Sequence, residues 1–211
     1  MEPAPALARP VRYWRLPGPA GYDPLEPVPP DGCVEVIVHL GDPFVVREGG
    51  RVVVQPRVLV AGPGTRAVEL APSGRSDVIG MRFEAGVACG LLGGSVEELV
   101  DRLPELDALA PEFARGLAEE LADARDWRTV LDRRLGAVLD EPDARLDAAI
   151  ACIRASHGRV TLDALARRSA LSPRQLERRF RAAVGYGPKM LARIARFQRA
   201  WRLAAAHPLA S

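Results

Sequence analysis

The chain has 211 residues, 48% hydrophobic and 27% charged, and its 29 basic and 27 acidic side chains leave a formal net charge of +2. These values exclude global disorder, collagen, coiled coil and a disulfide scaffold, and allow one or two domains with a sizeable core. The near-neutral total hides a division: residues 143–211 carry fourteen basic and four acidic groups, a net of +10, while residues 1–142 hold fifteen and twenty-three, a net of −8. Halves of opposite sign suggest one part that meets a polyanion and another with a different task.

Met1 to Leu16 has no continuous apolar core, so it does not read as a signal peptide. No run approaches the roughly 18 apolar residues of a membrane helix, and a cytoplasmic protein with no membrane partner is expected. Cys33, Cys89 and Cys152 are odd in number, far apart and outside any C-x-x-C motif, which reads as reduced thiols. His39, His157 and His207 are too scattered for a zinc site, and neither metal nor cofactor is expected.

Residues 1–30 are rich in proline (Pro3, Pro5, Pro10, Pro17, Pro19, Pro24, Pro27, Pro29, Pro30) and read as an extended lead-in or an edge covering. From 33 to 84 short β-like runs follow one another. Val34, Val36, Val38 and Leu40 alternate with Glu35, Ile37 and His39. Phe44–Arg47 and Arg51–Gln55 flank a hairpin turn at Glu48-Gly49-Gly50. Val58–Ala61, Val68–Leu70 and Val78–Phe83 complete the set. This spacing predicts an antiparallel sandwich or barrel. After Phe83 the chain turns helical. Ser95-Val96-Glu97-Glu98 reads as a capping box, Phe113, Leu117 and Leu121 mark one helix, and Trp127, Leu131, Leu135 and Val138 mark another capped by Asp126. Asp140-Glu141-Pro142-Asp143 breaks the pattern where the charge changes sign, which places a domain boundary there: 1–142 and 143–211.

Four helical segments are predicted beyond 143. Leu146, Ile150 and Ile153 form the first, ending at Gly158, and Thr161 caps a second with Leu162, Leu165 and Ala166 inside. After a turn at Ser169-Ala170-Leu171, Ser172-Pro173-Arg174-Gln175 combines an N-cap serine, proline at the first helical position and glutamine three residues after the cap. That helix covers 173–184 and stops at Gly185; a last one runs from Pro188 to about Ala206. Two short helices joined by a tight turn are the layout of a helix-turn-helix. On a helical wheel Leu176, Phe180, Ala183 and Val184 form the core face of helix 173–184, while Arg174, Gln175, Arg178 and Ala182 lie opposite. Arginine donates bidentately to guanine and glutamine to adenine in the major groove of double-stranded DNA. Arg167, Arg168, Arg179 and Lys189 suit phosphates, as do Ser172 and Arg181 at the margins. The competing reading is a solvated arginine-rich surface: Lys189 is the sole lysine among 29 basic residues, which points to a general bias toward arginine.

Thr161–Ala166, Leu171–Phe180 and Val184–Lys189 together resemble the DNA-binding domain of AraC-type transcriptional regulators. Pro30–Val36, Ser73–Arg75 and Met81–Phe83 resemble the β-rich, cupin-like N-terminal domain of many bacterial members. The resemblance implies an α+β chain, a regulatory domain that senses a small-molecule effector or homodimerises, and an all-α helix-turn-helix domain. It places base reading on Arg174, Glu177 and Arg178, agreeing with the wheel on the arginines and differing over Gln175. The chain departs from the family in having Ala170 where such turns usually carry glycine. It also stops after the connecting helix, without a second helix-turn-helix unit, so part of the stripe Met190, Leu191, Ile194, Phe197 and Trp201 is expected to lack packing. A truncated regulator acting by heterodimerisation through residues 1–142 is the alternative, and catalysis in the β domain is not expected. A carboxylate pair of Asp31 with Glu35 or Asp77 would need the fold to bring it together.

Overall fold

The structure, a computed structural model, describes residues 11–19, 25–48, 50–139 and 143–206. The domain boundary at 140–142, the middle of the hairpin at Gly49, His207, and Pro3, Pro5, Pro10 and Pro24 fall outside these residues.

The architecture is α+β. Eight strands, β1 (Val11–Pro17), β2 (Glu26–Val28), β3 (Val34–His39), β4 (Phe44–Glu48), β5 (Arg51–Val54), β6 (Val58–Ala61), β7 (Val68–Pro72) and β8 (Asp77–Phe83), form two antiparallel sheets ordered β1-β8-β3-β6 and β2-β7-β4-β5. The proline-rich lead-in thus supplies two edge strands, β1 and β2, the positions in a sheet that tolerate proline.

Alternation on β3 decides the layering. Val34, Val36 and Val38 pair in register with Phe83, Met81 and Ile79 of β8, and all six are buried on one face. Against that face pack α1 (Cys89–Leu92), α2 (Pro111–Ala114), α3 (Leu117–Asp123) and α4 (Trp127–Gly136). Phe113, Leu117, Leu121, Trp127, Leu131 and Leu135 fill the layer, each worth roughly 2–3 kcal/mol of apolar burial. The other face of β3 presents Glu35 and Ile37 to the second sheet.

Two helical expectations need correction. Ser95 does not open an α-helix with a capping box; it accepts a hydrogen bond from the Glu97 amide at 3.2 Å and caps a single 3-10 turn, Val96–Leu99. The periodic stretch from Phe113 to Leu121 is not one helix either, because Gly116 at φ +63° divides α2 from α3. Asp126 caps α4 as predicted, accepting from the Arg128 amide at 3.1 Å.

Beyond 143 the four predicted helices form: α5 (Ala144–Ala155), α6 (Leu162–Arg168), α7 (Pro173–Val184) and α8 (Pro188–Ala206). Their core joins Ile150 and Ile153, Leu165, Leu176 and Phe180, and Leu191 and Ile194. This core is distinct from that of the first unit but abuts it, since Ala85 belongs to it and the 3-10 turn packs on α7. Gly185 shows how close the approach is. A Cβ there would sit 2.8 Å from Pro63 and 2.9 Å from Val100, and φ is +91°. Among the described residues no helix is long and apolar enough to cross a membrane.

Candidate nucleic-acid interface and the intersheet cavity

The turn between α6 and α7 is built by local hydrogen bonds. Thr161 caps α6 through the Ala164 amide at 3.2 Å. At its other end the Leu171 amide donates to Ala166 O (3.0 Å) and the Ala170 amide to Arg167 O (3.2 Å). This is the Schellman arrangement, which needs a left-handed residue one position past the C-cap. Ala170 fills it at φ +50°, so the sequence departure noted above carries real backbone strain. The buried Ser169 hydroxyl donates to Leu165 O at 2.9 Å and locks the corner.

Ser172 then starts α7 with a complete capping box: its Oγ accepts from the Gln175 amide (3.2 Å), and Gln175 Oε1 accepts from the Ser172 amide (2.9 Å). Leu176, Phe180 and Val184 are buried, and Arg174, Gln175, Arg178 and Ala182 are exposed, as the wheel required.

The candidate residues separate by what they touch. Arg174, Arg178, Arg167, Arg168 and Lys189 are exposed, with no side-chain partner among the described residues. Gln175 is partly committed, since its carbonyl oxygen closes the cap. Glu177 is half-buried and turned toward Gly187, where a Cβ would lie 2.5 Å from its Oε1. Arg179 pairs with Asp143, and Arg181 with Glu97 of the 3-10 turn at 3.0 Å. On α8, Leu191 and Ile194 are buried, but Phe197 and Trp201 are 41% and 48% exposed.

A second feature lies between the sheets: a cavity of about 650 Å³ lined by Glu35, Ile37, Ala61 and Arg82 on one side and Val46, Val68 and Leu70 on the other. Folding does unite Asp31 with Glu35 here. Arg82 pairs with both, so one guanidinium serves two carboxylates. Burial pushes the Glu35 carboxyl up to about 7, against the opposing pull of the Trp14 indole and the Arg12 guanidinium. Asp77 takes no part; it is held below the usual carboxylate range by Arg15, whose Nη2 lies 2.8 Å away. Near the other end of β3 the buried His39 Nε2 lies 3.1 Å from Oε1 of Gln55, and Gln55 lines the cavity. Sequence reasoning did not single out Arg82 and Gln55. Arg82 had a visible signal, a charge between the apolar Met81 and Phe83 of a buried strand.

The wall at Pro30–Cys33 lines the cavity and also meets the helical unit. Gln198 Nε2 donates to Pro30 O at 2.6 Å, and a Cβ on Gly32 would lie 2.8 Å from Leu191 and 3.3 Å from the Tyr186 hydroxyl. That hydroxyl is buried without a hydrogen-bond partner.

Residues 1–105 match the model of a family described as a domain of unknown function (DUF6597). No curated protein matches the chain. Among solved structures it is similar to unsaturated fatty acid-bound ToxT from Vibrio cholerae, at 10% identity and TM-score 0.43, covering 95% of this chain and 82% of that one. It is also similar to the AraC-like transcriptional activator CuxR, at 15% identity and TM-score 0.30, covering 94% and 74%. Neither likeness is close enough to carry those proteins' functions over to this chain.

Proposed function

We propose that the chain is a cytoplasmic, DNA-binding transcription regulator that places α7 in the major groove. The observation that carries this reading is the exposed face of α7. A helix anchored by Leu176, Phe180 and Val184 presents Arg174 and Arg178 outward without side-chain partners among the described residues, flanked by the small Ala182. Arg174 and Arg178 are the principal base readers. Gln175 retains its amide donors for the same task, and Glu177 serves better to orient Arg181, whose Nη2 lies 3.8 Å away. Arg167, Arg168, Ser172, Arg179, Arg181 and Lys189 are assigned to phosphates, which set affinity without sequence information. Residues 1–142 act as the regulatory part, taking a small-molecule effector in the intersheet cavity or homodimerising. The double use of Pro30–Cys33 supports control of one unit by the other.

Competition binding with fluorescent DNA from upstream of the gene tests this. Arg178→Ala should lose about 1–3 kcal/mol of discrimination between that DNA and random sequence, while Arg167→Ala should weaken both alike. Equal binding of both DNAs by the unmodified protein would end the sequence-specific reading. A regulator that heterodimerises through residues 1–142 is the second reading; the exposed Phe197 and Trp201 of α8 would then be a separate surface open to a partner.

A further inference from the structure

The cavity has two polar ends and an apolar middle. At the first end two carboxyl groups, Asp31 and Glu35, share the single guanidinium of Arg82; Asp101 and the exposed Arg47, Arg66 and Arg102 also line the space. The Asp31 and Glu35 side chains are only 29% and 17% exposed. The middle is Ile37, Val46, Val68, Leu70 and Leu103. At the second end stands Gln55, 5% exposed. Burial holds His39 below its usual pKa and favours the neutral ring, against the opposing pull of the Gln55 hydrogen bond. Its Nδ1 is buried without a partner, which favours a bare nitrogen there and a proton on Nε2, donated to Gln55 Oε1. The Gln55 amide N–H₂ then has no partner among the described residues, and Gln55 lines the cavity. His39, which Gln55 bonds, lies four residues beyond Glu35 on β3, about 13 Å along a strand that advances about 3.3 Å per residue.

We propose that the cavity binds a small organic amine: its protonated nitrogen between Asp31 and Glu35, its apolar body along Ile37 and Leu70, and a hydrogen-bond acceptor at the Gln55 amide. This rests on the reading of residues 1–142 as the effector-binding part. The competing ligand is a carboxylate on Arg66 and Arg102, which also line the space. Those arginines are exposed, where an ion pair is screened and worth roughly 0–1 kcal/mol. The carboxylates are mostly buried, where an uncompensated charge costs more and a partner gains more. A volume of about 650 Å³ lies within the usual range of small-ligand pockets.

Tyramine is the probe, with 3-(4-hydroxyphenyl)propionate and 2-(4-hydroxyphenyl)ethanol as matched anion and neutral controls, in titration calorimetry on the full chain. Tyramine should bind and both controls should bind at least about tenfold more weakly; Glu35→Gln should cut tyramine affinity by about tenfold or more. Asp31→Asn, which retains the acceptor for the Cys33 amide, should do the same and covers the case in which the first variant misfolds. Preferential binding of the propionate, or tyramine affinity unchanged in both variants, would overturn the proposal. Affinity for upstream DNA is measured in parallel. Tyramine that binds as described without altering DNA affinity supports the ligand assignment and removes only its role as an effector.

Discussion

Ala170 sits at φ +50° because the Schellman bonds of the α6–α7 turn demand a left-handed residue there. An alanine pays roughly 1–2 kcal/mol for that conformation, and glycine recovers it less its own unfolded-chain entropy. Ala170→Gly should therefore raise stability by up to about 1 kcal/mol, seen as a melting temperature about 2–4 °C higher by calorimetry. Glu35 makes a prediction of the opposite kind. Its carboxyl is raised to about 7 in the folded chain from an ordinary value of 4.5, so between those values the folded state holds a proton that the unfolded state has released. Stability contributed by the protonated group is complete below about pH 4.5 and is lost as pH rises to 7, on the order of 3 kcal/mol in all. The groups facing it are Asp31, Arg82 of β8 and Arg12 of β1. Denaturant titrations of Glu35→Gln should show a variant that gains on the parent from pH 5 to about pH 7 and holds that gain above it. A constant difference over that range would contradict the burial argument.

At the scale of elements, α7 owes its start to two reciprocal bonds, so its cap behaves as a unit. Ser172→Ala should cost about 1 kcal/mol. Gln175→Ala should cost less, and the double variant less than the sum, because each single change already disables part of the same box; urea midpoints of the four proteins measure the cycle. This helix was legible from sequence because serine, proline and glutamine at fixed offsets act locally. The strands from β3 to β8 were legible too, through alternation and turn residues. Legibility failed where tertiary structure overrode local pattern. Prolines concealed β1 and β2, which exist because β8 and β7 supply partners. Glu98 did not close a box, because the chain makes only one 3-10 turn before Asp101 takes φ +57°. The cavity was the least legible feature. Asp31, Glu35 and Arg82 meet only through the pairing of Glu35 with Arg82 across β3 and β8. No spacing rule announces a pairing between residues so far apart in sequence.

For the whole molecule, the opposed charges of the two halves are in contact and partly cancel. Glu84 pairs with Arg154 of α5, and Glu97 with Arg181 of α7. The second pair joins the acidic unit to the helix assigned to the groove, so Glu97 occupies a guanidinium that a phosphate would otherwise claim. Both side chains are about half exposed, at 49% and 51%, which limits the pair to roughly 0–1 kcal/mol and its removal to a few-fold gain in DNA affinity. Salt dependence separates this effect from a general change of charge. Each phosphate contact adds about 0.9 to the slope of log affinity against log salt. Glu97→Gln should therefore steepen that slope by about one contact when anisotropy titrations are repeated across a salt series. Arg181→Ala should lower the slope less in the parent, where Glu97 competes for the guanidinium, than in the Glu97→Gln background, where it should abolish the gain. If Arg181→Ala lowers the slope equally in both backgrounds, Glu97 does not compete with DNA, and the contact between the units is only structural.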